Sequence, residues 1–293
     1  MYDQVRPEDL TYIGRDSTRV DSLEKLTGEA IYVSDMTLPG MLHAAVLRSP
    51  HARARILRID VSKARGMPGV RAVLVGEELG YRLGLYVVDK YILARGEVRH
   101  YGEAVAAVAA ETYAQARRAA EAVVVVYEPL PPVLHHMDAI RPDAPLVHPD
   151  LGSYDHIAAV FTPKPGTNIA NHTRLRKGDT EKGFAESEWI IEREYSCPSV
   201  QHVPMETHVA IAKWSRGDRV EIWTSAQSPY TVRNLFCHAF QLPHNNVRVH
   251  IPYVGGGFGG KAGIGVEPLA AVLSRAAGGR PVKFQATREE EFS

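Results

Sequence analysis

Residues 245–261, NNVRVHIPYVGGGFGGK, decide how this chain is read. Val247, Val249 and Ile251 alternate with Arg248 and His250, the period that puts apolar side chains on one face of a strand and polar ones on the other. The strand then runs into five glycines set around Phe258 and closed by Lys261. Glycine has no Cβ and reaches positive φ freely, so main-chain amides can converge on an oxo, phosphate or ring group. A plain turn needs one or two glycines, and a longer run loses conformational entropy that an ordinary connection does not return. A ligand-binding loop is therefore expected at 255–261.

Beyond the loop, residues 264–279 (IGVEPLAAVLSRAAGG) read as a helix closed at Gly278-Gly279, and 281–287 (PVKFQAT) as the next strand. Glu267 falls in this helix. The order also satisfies G-x-G-x-x-G through Gly255, Gly257 and Gly260, with Glu289 where a ribose-binding acid would sit. That alternative, a dinucleotide-binding dehydrogenase fragment, needs more parallel strands than the residues to Ser293 provide. A phosphate-binding Walker loop is excluded because Ala262 stands where a magnesium-binding Ser or Thr is required.

Before the loop, HAAVLRS, RILRID and RAVLV are strand-like runs separated by Ser49-Pro50 and Pro68-Gly69. A helix is predicted in ETYAQARRAAEAV, with Thr112 as its cap and Gln115 three residues on. VAAVAAE precedes it, and VVVVYEP follows as a buried strand. Together these make an α+β domain over 16–132. Residues 133–170 are rich in proline and read as a linker, in which the adjacent His135 and His136 diverge and, with His148, are solvated rather than metal ligands. A domain over 171–293 opens with a short helix leading into an alternating strand in GDTEKGFAESEWIIEREYS, continues through THVAIAKW and RVEIWTSAQ as a second sheet, and carries a helix in TVRNLFCHAFQL.

Composition narrows the function. At 293 residues and 45% hydrophobic, the chain can bury a full core. Thirty-four basic residues balance 34 acidic ones, so no net field attracts nucleic acid or an anionic membrane surface. Cys197 and Cys237 are too few and too far apart for a disulfide framework, a zinc site or an iron–sulfur cluster, and both read as buried thiols. Neither the charged opening residues 1–10 nor any later stretch has the apolar length of a membrane span, and a soluble cytoplasmic protein is expected.

GGGFGGK after a basic alternating strand resembles the cofactor loop of the molybdenum hydroxylases, the xanthine dehydrogenase and aldehyde oxidase family. Residues 28–75 (GEAIYVSDMTLPGMLHAAVLRSPHARARILRIDVSKARGMPGVRAVLV) and 101–133 (YGEAVAAVAAETYAQARRAAEAVVVVYEPLPPV) are similar to the a/b hammerhead domain that opens their large subunits. Residues 178–214 resemble the entry to the first molybdopterin-binding domain, and WTSAQSPYTVRNLF resembles its cofactor-facing segment. The resemblance implies a hammerhead domain followed by the first, incomplete part of a molybdopterin-binding domain. It makes Gln227, Gly256, Gly257, Phe258 and Gly259 cofactor-binding. Gln227 would reach the apical oxo group, while the Phe258 ring and the Gly259 amide would lie beside the metal. Glu206, His202 and His208 are taken as structural. The pterin dithiolene holds the metal, so no direct metal ligand is expected from the protein.

The family's general-base glutamate lies on a later segment, and this chain runs only to TREEEFS. The resemblance therefore implies no catalytic residue here and an inactive isolated chain, either one half of a split subunit or a truncated product. Its partners would be a second molybdopterin-binding polypeptide with the carboxyl-terminal half, an iron–sulfur subunit, an FAD subunit and a small-molecule substrate. Purine-oxidising members place a glutamate after GGGFGGK where this chain has Ala262, which turns the expectation toward an aldehyde or an N-heteroaromatic or aromatic substrate. A non-catalytic assembly module is the remaining alternative.

Overall fold

The computed structural model describes residues 10–293 other than 15 and 158, so most of the charged opening stretch lies outside the described residues. In chain order the elements are α1 (Ser22–Thr27), β1 (Leu42–Arg48), β2 (Ala54–Asp60), α2 (Ser62–Arg65), β3 (Val70–Val75), β4 (Arg82–Leu83), β5 (Lys90–Tyr91), β6 (Glu97–Val98) and β7 (Ala104–Ala110). There follow α3 (Tyr113–Glu121), β8 (Val124–Pro129), α4 (His136–Ala139), α5 (Thr180–Glu186), β9 (Val209–Ser215), β10 (Arg219–Thr224), α6 (Pro229–Phe240), β11 (Val247–His250), α7 (Glu267–Ala276) and β12 (Val282–Gln285).

One seven-stranded sheet, ordered β11-β10-β9-β12-β1-β7-β3, runs through the molecule. Its joint is β1 against β12, parallel, with Leu42 opposite Val282 and His43 opposite Lys283. The expected second sheet is thus a continuation of the first. Period-2 patterning reports that a segment is a strand, but not which distant strand it will pair with. β2, β6 and β8 form a separate three-stranded sheet.

β7 reads AVAAVAA, an unbroken apolar run, because α3 covers one face of the sheet there and α7 touches the other. The α3 cap forms as its sequence predicts: the Gln115 amide donates to Thr112 Oγ1 at 3.3 Å and the Thr112 amide to Gln115 Oε1 at 3.1 Å. Ala116, Ala119 and Ala120 are buried, their small side chains letting the helix lie close to β1 and β7. On the other side α7 is buried from Glu267 to Ser274 against β9 and β12. Ser274 Oγ accepts from the Trp214 amide at 2.9 Å and donates to the Arg280 carbonyl at 2.7 Å, tying helix to sheet. Phe236, Ile222, Leu273 and Phe284 are fully buried in this core, each stabilising by roughly 1.5–3 kcal/mol relative to exposure.

Five local expectations change. β8 is the outer strand of the small sheet, paired only with β2, and leaves Val124 and Val126 exposed instead of buried. Cys197 is exposed, whereas Cys237 is buried in α6, where burial pushes its thiol up. The His135 and His136 rings do not diverge but stack with centroids 4.4 Å apart. His148 is half-buried between Tyr154 Oη (3.3 Å) and Asp89 (3.5 Å) instead of solvated. Finally, α5 forms but no strand follows it: every residue from 170 to 200 is exposed, and 187–207 carry no helix or strand.

The dinucleotide alternative fails on topology. Its strands flanking the glycine loop must be neighbours or near neighbours in one parallel sheet. Here β11 is the sheet edge, parallel to β10, while β12 lies three strands in, separated from β11 by β10 and the antiparallel β9.

Candidate cofactor loop

The chain leaves β11 at the sheet edge, forms the glycine loop, and returns into α7 over β9 and β12. Beside the loop lies the turn from β10 to α6, which carries Gln227 immediately before the capping residue Ser228; Ser228 Oγ accepts from the Thr231 amide at 3.3 Å. A main-chain bond joins the two segments, from the Gln227 amide to the Lys261 carbonyl at 2.9 Å.

The Gln227 side chain is held by the loop itself. Its Oε1 accepts from the Gly259 amide at 2.9 Å and the Lys261 amide at 3.2 Å. Two main-chain donors on one atom identify it as the carbonyl oxygen, which leaves the two Nε2 hydrogens to find other partners. Nε2 meets no acceptor among the described residues. The Gly259 amide, placed by the resemblance beside a metal, is here spent on holding the glutamine. The amides of Gly256, Gly257 and Phe258, in succession, have no partner among the described residues.

Two close approaches explain glycine at their positions. A Cβ at Gly257 would fall 2.6 Å from Gln227 Oε1, and one at Gly255 would fall 2.5 Å from Glu206 Cβ. Phe258 has φ of 52°, in the left-handed region that costs a bulky side chain about 1–2 kcal/mol. Its ring is 73% exposed, so it is not core filler.

Under the loop lies a buried ion pair that local sequence patterns did not reveal. Lys261 Nζ donates to the Glu206 carbonyl at 2.8 Å and stands 3.6 Å from Glu206 Oε2, with the two side chains 0% and 6% exposed. Glu206 Oε2 accepts from the Gly255 amide at 2.8 Å, and the Glu206 amide donates to the Gly255 carbonyl at 3.0 Å. Glu206 Oε1 is buried without a partner. Burial pulls the Lys261 ammonium below its ordinary value, against the opposing pull of Glu206. Glu206 and Lys261 therefore clamp both ends of the loop. His208 extends the support: its Nδ1 meets Glu291 Oε1 at 2.9 Å and its Nε2 meets the Gly260 carbonyl at 3.2 Å. The exposed His202 ring packs against the loop at Gly260.

Glu267 opens α7 and faces inward. Its oxygens accept from Thr224 Oγ1 at 2.6 Å and the Gly265 amide at 2.8 Å, so both are committed to structure. Among the described residues no group of three or more His, Cys, Asp or Glu side chains is placed to hold a metal ion, and no helix is long and apolar enough to cross a membrane. The loop offers amide donors, a neutral carboxamide and an exposed ring.

Residues 27–131 match the model of the aldehyde oxidase and xanthine dehydrogenase a/b hammerhead domain, and residues 161–293 match that of the molybdopterin cofactor-binding domain. The chain is 34% identical, over 93% of its length, to a probable xanthine dehydrogenase subunit of Bacillus subtilis (strain 168), and spans 34% of that protein. It is 32% identical, over 97% of its length, to the nicotinate dehydrogenase large molybdopterin subunit of Eubacterium barkeri, and spans 63% of it. Among solved structures, quinoline 2-oxidoreductase from Pseudomonas putida 86 superposes with a TM-score of 0.80 at 34% identity, covering 95% of this chain and 35% of that one. The chain thus spans between one third and two thirds of the length of these relatives. The glycine loop and its Gln227 support lie inside the matched cofactor-binding domain, and the chain belongs to the xanthine dehydrogenase and aldehyde oxidase family of molybdenum hydroxylases.

Proposed function

We propose that this chain forms one wall of the cofactor site in a multi-subunit molybdenum hydroxylase, which hydroxylates an aldehyde or an N-heteroaromatic or aromatic substrate with oxygen drawn from water. The observation that carries the reading is the Gln227 carboxamide, fixed through Oε1 by Gly259 and Lys261, with its N–H donors and the amides of Gly256, Gly257 and Phe258 all without a partner among the described residues. The residues present fit a pterin-bound oxo-metal group. They supply neutral donors and an exposed ring, on a loop whose close approach to Gln227 requires glycine at 257.

When bound, the molybdenum cofactor accepts two electrons from the substrate. The chain's own residues position and exclude. Gln227 Nε2 would donate to an oxo group of the cofactor without adding charge near the metal. Gly256, Gly257 and Phe258 present amides to the cofactor's acceptors. The Phe258 ring, exposed in this chain, would shield the bound cofactor from water.

The division into a hammerhead unit over 16–132, a linker over 133–170 and a cofactor-binding unit over 171–293 belongs to this proposal. So do the partners: a polypeptide completing the large subunit and bringing the general base, an iron–sulfur subunit and an FAD subunit. On this reading the isolated chain does not turn over substrate. Relatives named for nicotinate and quinoline support the N-heteroaromatic class; others at similar identity are named for xanthine and hypoxanthine, and against a purine stands Ala262 alone.

Purification of the tagged chain from its own host, with mass spectrometry of co-purifying polypeptides and elemental analysis, tests the reading. Recovery of molybdenum and iron with those partners is expected, and Gln227→Ala should lower molybdenum retention by more than the thermal shift of the chain accounts for. A metal-free chain without partners would overturn the proposal.

A further inference from the structure

The turn that precedes Glu206 runs along the glycine loop. A Cβ at Gly256 would come within 3.3 Å of Pro204 Cβ, and one at Gly260 within 3.1 Å of the His202 ring. Between these two contacts, Val203 has φ of 46°, in the left-handed region. That is an outlier for a β-branched side chain, and the following Pro204 favours extended backbone at 203 as well. Val203 is 45% exposed, so burial of its side chain does not offset the strain. Strain of this kind persists only where neighbours enforce it, and it gathers at functional sites. Here Arg288 Nη2 donates to the Pro204 carbonyl at 2.6 Å and the Met205 carbonyl at 2.9 Å, while Gln201 Nε2 donates to the Glu291 carbonyl. What the strained turn delivers is the exposed His202 ring, laid against Gly259 and Gly260.

The hydrogen bonds around His202 fix which ring nitrogen is free. Because Gln201 Nε2 is the donor to Glu291, Gln201 Oε1 is the acceptor end of that carboxamide. Oε1 accepts from the His202 amide at 2.8 Å and meets His202 Nδ1 at 3.3 Å. Nδ1 therefore carries the hydrogen in the neutral ring, and Nε2 keeps a lone pair that has no partner among the described residues. A Cβ at Gly259 would lie 3.8 Å from this Nε2, and the Gly259 amide is one of the two that hold Gln227.

An acceptor is what this wall otherwise lacks. The Gln227 Nε2 group and the amides of Gly256, Gly257 and Phe258 are all donors. The carbonyls of Gly255, Gly257, Gly259 and Lys261 already accept from the amides of Glu206, Gly260, Ala262 and Gln227, and the Gly260 carbonyl meets His208 Nε2. A pterin ring carries N–H groups as well as acceptors, and a hydrogen left unpaired on desolvation weakens binding. We propose that His202 Nε2 accepts a hydrogen bond from an N–H group of the bound cofactor, which makes His202 a binding residue beside Gln227. This rests on the functional reading above and replaces the structural role that the sequence assigns to His202.

Elemental analysis of the native complex, purified with each variant of the full chain, tests the contact. His202→Phe keeps a ring at an exposed position and removes the acceptor, so the chain should unfold as wild type. It should retain roughly 3- to 10-fold less molybdenum after gel filtration, the factor that one neutral hydrogen bond supplies. His202→Gln, whose side-chain oxygen can take the same hydrogen, should recover most of that loss. Nitrogen NMR of the histidine-labelled full chain, with the His202 signals assigned by their disappearance in His202→Phe, should show the hydrogen on Nδ1 and Nε2 bare. Wild-type molybdenum content in His202→Phe overturns the proposal, as do equal losses in both variants or a neutral ring with its hydrogen on Nε2, and each of these leaves the functional reading standing. A wild-type complex that holds no molybdenum overturns the functional reading, and this proposal with it.

Discussion

Replacing Lys261 by methionine removes the ammonium from beneath the glycine loop and leaves Glu206 with its Gly255 contact alone. The pair is fully desolvated on the lysine side, and Glu206 Oε1 already lacks a partner. Breaking a buried pair from one side typically costs about 3–5 kcal/mol, because a charge remains buried without its counterion. The direct attraction at 3.6 Å is on the order of 4–5 kcal/mol at an effective dielectric of 20, which is consistent with that range. The hydrogen bond to the Glu206 carbonyl, at 2.8 Å, contributes about 1.5–3 kcal/mol as a bond from a charged donor. Lys261→Met should therefore destabilise the chain by about 3–5 kcal/mol. The double variant Lys261→Met, Glu206→Gln removes both charges and should cost less than the sum of the single changes, with a coupling of at least about 1 kcal/mol. Urea unfolding followed by circular dichroism measures all three. If Lys261→Met unfolds within about 0.5 kcal/mol of wild type, or the two changes add, the clamp is not what holds the loop.

Gly257→Ala should displace Gln227 and break its two bonds to the loop, costing about 1–3 kcal/mol, whereas Gly263→Ala, with no atom within 4 Å of its Cβ, should be nearly neutral; equal thermal shifts would refute the close approach. Phe258→Gly should leave stability unchanged or raise it by up to about 1 kcal/mol, since it relieves left-handed strain at an exposed ring. The same change should lower turnover of the native complex, and unchanged turnover removes the ring from the site. Arg280 and then Arg71 hold the Glu111 carboxyl down at about 2, from an ordinary value of 4.5. A carboxylate depressed on folding stabilises above its unfolded value and loses that contribution as pH falls from 4.5 toward 2. Glu111→Gln should therefore flatten the acid limb of the stability curve in that window, and an unchanged slope would show that the guanidinium contacts are not kept in solution.

Much of the local structure was legible along the chain. Thr112 and Gln115 are three residues apart, so the cap they form is a local event that sequence spacing specifies. The strand at 247–250, the α7 stop at Gly278-Gly279 and the glycine loop are likewise set by nearby residues. Gln227 and the loop were readable as a resemblance, because a motif of consecutive residues carries it. The Glu206–Lys261 clamp was not, since its partners are 55 residues apart and no local pattern pairs a glutamate before β9 with a lysine after a glycine run.

The same division holds at the scale of the fold. By itself the sequence determined most of the elements and the position of the glycine loop, because periodicity, capping and glycine runs act within a few residues. Only the tertiary structure decided that β12 pairs with β1 and makes one sheet of the two regions. It also decided that β8 becomes an outer strand and that 188–195 stays without a neighbour. Each of these outcomes is a pairing across long separations in the chain. Alternation says that a strand needs a partner, and only the folded chain shows which strand, if any, provides one.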